Sequence, residues 1–152
     1  MPDDVTHVIV DKSVKIIRRR AFIERHRLVS IEMHDGIEII EGWAFYNCIS
    51  LKGSMRLPGV RVVEDFAFAV TGLTDVEFGD KLETIGHSAF HYCMSLRSIK
   101  MPTVREIDKF AFDSCDHLTD VEMPEIERIT NHEFIFRRSG YAIFALQFYT
   151  GI

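Results

Sequence analysis

Apolar residues recur along this chain in a frame of 22 or 23 positions. An Ala-Phe pair stands at Ala21-Phe22, Ala44-Phe45, Ala67-Phe68, Ala89-Phe90 and Ala111-Phe112, in steps of 23, 23, 22 and 22 residues. A further step of 22 reaches Glu133-Phe134, where Phe is kept and Ala is lost. Two other columns keep the same step: Leu28, Leu51, Leu73, Leu96 and Leu118, and Ile17, Ile40, Val63, Ile85, Ile107 and Ile129. The stretch Leu96–Cys115 is the clearest copy.

Within that copy, Leu96, Ile99 and Met101 alternate with polar residues, the signature of a short strand with one buried face. Pro102, like Pro58 and Pro124, cannot continue a ladder and ends it. Asp35-Gly36 and Gly79-Asp80 are turn dipeptides at the same place. Val104 and Ile107 make a second apolar pair. Ala then allows close backbone approach, Phe fills the centre, and Cys48, Cys93 and Cys115 each fall three residues after their Phe.

One such unit buries too little to stand alone. Burial of a Leu, Ile or Phe contributes roughly 1.5–3 kcal/mol, whereas ordering each residue's backbone costs about 1–2 kcal/mol. The units must stack, each covering its neighbour. A 22-residue period with strand-like L-x-x-I-x-M is that of a leucine-rich repeat solenoid. Phe22, Phe45, Phe68, Phe90, Phe112 and Phe134 are expected to form one internal row. The array is expected over residues 1–136. After the break at Arg137-Arg138-Ser139-Gly140, residues 137–152 are expected to be a C-terminal cap or a truncated tail. Its twelve mostly apolar residues from Tyr141 are too few for a membrane span, which needs about 20.

One unit departs from the frame. Leu51-Lys-Gly-Ser-Met55 has one residue more than the other copies, which predicts a bulge at Gly53. Thr71 takes the Cys slot there, and the frame recovers by shortening before Leu73.

Charge adds a second periodicity. The net charge is −5, which points away from a nucleic-acid backbone as partner. The polar position late in each first strand reads Glu32, Arg56, Glu77, Lys100 and Glu122, with alternating sign. The position at the start of each second strand reads Lys15, Glu38, Arg61, Glu83, Arg105 and Glu127, alternating again. Strands about 4.8 Å apart would set each charge beside its opposite, each pair contributing roughly 0.2–1 kcal/mol. These columns read as a self-neutralised sheet, as a mixed-charge binding surface, or both.

Candidate chemistry is sparse. His87, His91 and Cys93 have zinc-like spacing on a helix, but Phe90 pointing inward would keep them from converging. Cys115-Asp116-His117 invites a nucleophile reading, while the repeat explains Cys115 as core. The dinucleotide, phosphate-loop, nucleophile-elbow and zinc-protease motifs do not occur, so neither an enzyme nor a cofactor or metal is expected. Free buried thiols are expected for the three cysteines, a Cys93–Cys115 bond being the alternative. Trp43, Phe66 and Phe110 precede Ala in their copies, either as an outer patch for a partner or as a second packing row. Met1-Pro2-Asp3-Asp4 begins no signal-type apolar run. With reduced thiols, the expected location is cytoplasmic, or the cell surface if the chain is a fragment.

The frame L-x-x-I-x-M-P-x-V-x-x-I-x-x-x-A-F-x-x-C resembles the BspA-like leucine-rich repeat family from about Val8 to Phe134. The resemblance implies a right-handed coil of short parallel strands with little helix. It also implies non-catalytic protein–protein or surface-attachment roles. The expected function is a scaffold for a protein or peptide partner, with Glu32, Arg56, Glu77, Lys100, Glu122, Trp43 and Phe66 as contact candidates. The alternative is a fragment of a surface adhesion or recognition protein.

Overall fold

The computed structural model describes residues 2–129 and 135–139. Each repeat places its alternating apolar run on a first strand and its second apolar pair on a two-residue strand. The first strands are β1 (His7–Ile9), β3 (Ser30–Glu32), β5 (Lys52–Leu57), β7 (Gly72–Phe78), β9 (Ser98–Lys100) and β11 (Asp120–Glu122). The second strands are β2 (Ile16–Ile17), β4 (Ile39–Ile40), β6 (Val62–Val63), β8 (Thr84–Ile85), β10 (Glu106–Ile107) and β12 (Arg128–Ile129). All pairings are parallel and join equivalent strands of adjacent coils. The second strands form one continuous six-stranded sheet. The molecule is a parallel solenoid with almost no helix.

The expected internal row is present. Phe22, Phe45, Phe68, Phe90 and Phe112 stack in order, with ring centroids 5.0, 5.1, 5.2 and 5.4 Å apart and planes within 13° of parallel. Phe45, Phe68, Phe90 and Phe112 are wholly buried. The ring stacked on Phe112 is Phe136, at 5.3 Å. It lies two residues beyond the extrapolated position, and Phe134 itself lies outside the described residues. The turn of this sixth coil continues through Arg137 to Ser139, whose N–H bonds Phe136 O. Residues 140–152, most of the expected cap, lie outside the described residues.

The Ala-Phe segment builds a third wall from turns. Alternate residues there send their N–H along the solenoid axis: Trp43 to Asp65 O, Phe45 to Ala67 O and Asn47 to Ala69 O, with the same three bonds repeated at Phe66, Phe68 and Val70. That aim requires two left-handed residues per coil. Among the described residues, eleven non-glycine residues have φ between 53° and 63°, including Trp43, Phe66, Val70 and Phe110. Each costs about 1–2 kcal/mol, offset by axial hydrogen bonds worth roughly 1 kcal/mol each and by the burial they enforce.

The Cys column has a polar reason as well as a packing one. The thiols of Cys48, Cys93 and Cys115 donate to Phe22 O at 2.9 Å, Phe68 O at 3.2 Å and Phe90 O at 3.0 Å. Each links its coil to the spine residue of the coil before. All three are free and buried. Burial pushes the Cys48 thiol up to about 11 and raises Cys115 well above the ordinary thiol value.

The irregular coil has a larger effect than a local bulge. The first strands divide into a two-stranded sheet, β1–β3, and a four-stranded one, β5–β7–β9–β11. Gly53 adopts φ +81°, a region where L side chains are strained. The register slips between Gly53 and Ser54. The residue left without a partner in β5 is Thr74 of β7, so the bulge falls on the strand opposite the extra residue.

Candidate functional site

Four of the five first-strand charges share one surface. Arg56, Glu77, Lys100 and Glu122 occupy one column of the four-stranded sheet, each beside its opposite in register. All are exposed, and Arg56 lies 3.8 Å from Glu77. Exposed pairs of this kind contribute little to stability. Glu32 does not join them. It is paired with Ile9 in the separate two-stranded sheet, because the irregular coil removes the β3–β5 ladder. Two residues before each charge runs a second column that sequence reading passed over: Ser54, Asp75, Ser98 and Asp120. The two-residue period of a strand was enough to find it. Met55, Val76, Ile99 and Val121 lie between these columns, and Met55, Val76 and Ile99 are core residues. A shallow groove crosses this face between Ser54 and Asp120.

The second charge column is complete. Each of Glu38, Arg61, Glu83, Arg105 and Glu127 donates its N–H to the carbonyl of the preceding member, beginning at Lys15. Lys15–Glu38 is 3.7 Å and Arg105–Glu127 is 3.8 Å.

Trp43 and Phe66 lie on the turn wall, away from the first-strand columns. They stack at 4.3 Å, with Tyr46 packed beside Trp43 at 4.8 Å. The row continues edge-on through His87 to Phe110, at 5.3 and 5.7 Å, and Arg137 lies over Phe110. Trp43, Phe66 and Phe110 are half-buried, so the aromatics form a packing row whose outer edge remains accessible. His87 belongs to this row as a ring, a role that its sequence spacing did not suggest.

The remaining polar candidates do not converge. Cys115 is buried, whereas Asp116 and His117 are exposed, and His117 Nδ1 lies 2.7 Å from Met94 O. Among the described residues no group of three His, Cys, Asp or Glu side chains is arranged to hold a metal ion. His91 turns instead to Asp113, with Nδ1 3.2 Å from Oδ2. That contact is off the hydrogen-bonding line. Burial outweighs the carboxylate and lowers the His91 pKa. Asp113, 1% exposed, accepts from Arg137 Nε at 2.9 Å and from its Nη2 at 3.1 Å. This pair ties the sixth coil to the fifth. Nothing in the period marked it, because both residues sit in variable positions.

The chain has no match among curated protein sequences. It is similar in structure to a leucine-rich repeat protein from Bacteroides ovatus, with a TM-score of 0.56 and 19% identity over 90% of this chain. The chain spans 42% of that protein's length. Residues 3–59 and 61–143 match the BspA type leucine-rich repeat region in six copies. With the repeat frame, the ring spine and the parallel walls in agreement, the chain belongs to the BspA type leucine-rich repeat family.

Proposed function

We propose that the protein is a non-enzymatic scaffold that binds a protein or peptide partner across the outward face of the four-stranded sheet. The observation that carries this reading is the pair of parallel polar columns, Ser54-Asp75-Ser98-Asp120 and Arg56-Glu77-Lys100-Glu122, held in register on one sheet. Such a lattice offers hydrogen-bond and charge partners at fixed spacing and sets orientation and on-rate more than raw affinity. Repeat solenoids of this kind commonly mediate protein interaction. The half-buried Trp43–Phe66 edge is a secondary contact on the turn wall. The test is affinity capture from the native lysate with the parent and with Arg56→Glu/Lys100→Glu. Partners lost on charge reversal assign the site to this face. An unchanged partner set rejects it.

A further inference from the structure

The four-stranded sheet is striped by strand as well as by column. Its outward positions are Ser54 and Arg56 on β5, Asp75 and Glu77 on β7, Ser98 and Lys100 on β9, and Asp120 and Glu122 on β11, all in register. Strands with a hydroxyl and a cation therefore alternate with strands that carry two carboxylates. The two columns differ in how far they satisfy themselves. Along Arg56-Glu77-Lys100-Glu122 each charge lies beside its opposite, and Arg56–Glu77 closes to 3.8 Å. Along the other column the in-register neighbours of each carboxylate are hydroxyls. Asp75 accepts from Ser54 Oγ at 3.4 Å and from Thr74 Oγ1 at 2.7 Å. Hydroxyls fill lone pairs without cancelling charge. Neither Asp75 nor Asp120 is in an ion pair among the described residues.

Charge and spacing select the occupant. Within the two columns two cations stand against four carboxylates, so a second copy of this chain would bring the same acidic excess against the face. The uncancelled carboxylates of β7 and β11 stand two strand spacings apart, about 9.6 Å, along the groove that runs from Ser54 to Asp120. A chain crossing the strands must match that interval. A β-strand returns to one side every two residues, about 6.8 Å. A polyproline II segment returns every three, about 9.3 Å, which fits.

We propose that the occupant of this face is a basic, polyproline II segment of a partner protein, laid across the strands. Its Lys or Arg side chains, three residues apart, meet Asp75 and Asp120, and a carboxylate between them meets Lys100. This inference rests on the binding face proposed above and names the chemistry of its partner.

The probe is a labelled synthetic peptide, PPREPRPP. One control, PPRERPPP, sets the arginines two residues apart, and another, PPERPEPP, exchanges the charges. Fluorescence anisotropy is expected to show saturable binding that weakens with salt and is at least fivefold tighter than for either control. Asp75→Asn/Asp120→Asn, which keeps both side-chain shapes, should weaken binding at least fivefold, while Glu83→Gln on the second-strand wall leaves it unchanged. Absence of saturable binding overturns the proposal, as does equal affinity for the Asp75→Asn/Asp120→Asn protein or for PPRERPPP. If native partners are still lost with Arg56→Glu/Lys100→Glu while the peptide fails to bind, the face stands and its basic occupant is overturned. If both fail, the face itself is rejected.

Discussion

The two strand-built walls carry the same repeat and respond differently to one irregular coil. The second-strand wall, built from strands of two residues, runs unbroken through all six coils. The first-strand wall has longer strands, yet it divides between β3 and β5. Continuity therefore does not follow strand length. It follows the spacing of the residues that anchor each coil. From Val60 to Phe68 the irregular coil keeps the ordinary spacing, so β6 stays in register. The extra residue at Lys52–Ser54 and the shortening at Thr71–Leu73 both fall on the other side of the coil and affect only that wall. A solenoid can thus vary one face while the opposite face holds the stack together.

The largest test of this division is Phe68→Ala. Its ring lies beneath both walls, so its loss should disrupt both at once. The expected loss of stability is about 3–5 kcal/mol, read by urea denaturation, with amide exchange rising together in β5–β7 and β6–β8. Exchange rising in only one wall would show that the walls are independently held.

Deletion of one coil, Leu96–His117, comes next. It places Glu77 beside Glu122 and Glu83 beside Glu127, like charges in both walls. The repair Glu122→Lys/Glu127→Lys within that deletion should recover roughly 1 kcal/mol. No recovery would mean that sign alternation does not specify coil order.

A smaller effect is expected from Gly53→Ala. No atom lies within 4 Å of the added methyl, so the cost is the backbone's alone, about 1 kcal/mol. It should leave exchange in β6 unchanged.

The smallest effect is a pH dependence. The folded His91 pKa lies below its ordinary value because burial disfavours the cation, so the unfolded chain takes up the proton first. The contribution is intact above about pH 6.5 and is lost as pH falls from there through the lower folded value. Urea midpoints at pH 7.5 and 5.5 should therefore differ less in His91→Gln than in the parent.

The repeat made most of this architecture readable. Ala-Phe spacing located the spine rings from Phe22 to Phe112, and alternating apolar positions located the strands and the outward charges. The stacking of Phe136 on Phe112 was not foreseen, because extrapolating a period cannot detect an extra two residues. A local signal was available: Ser139, a small residue three positions after Phe136, stands where other coils have Cys, whereas Arg137 stands three positions after Phe134. Glu32 was assigned to the charge face because a sequence column cannot show where a sheet stops. The left-handed turns were hidden for another reason. Trp43, Phe66 and Val70 are residues that propensity places elsewhere, and only stacking compels them into that conformation.

The three sulfur-to-carbonyl links have a practical corollary. Each thiol is shut away only while its own rung and the one before it remain together, and Cys48, Cys93 and Cys115 mark the second, fourth and fifth rungs. Alkylation of the native protein, resolved by mass spectrometry peptide by peptide, therefore times how fast the stack comes apart at three heights, and the order in which the labels arrive reveals which end unravels first.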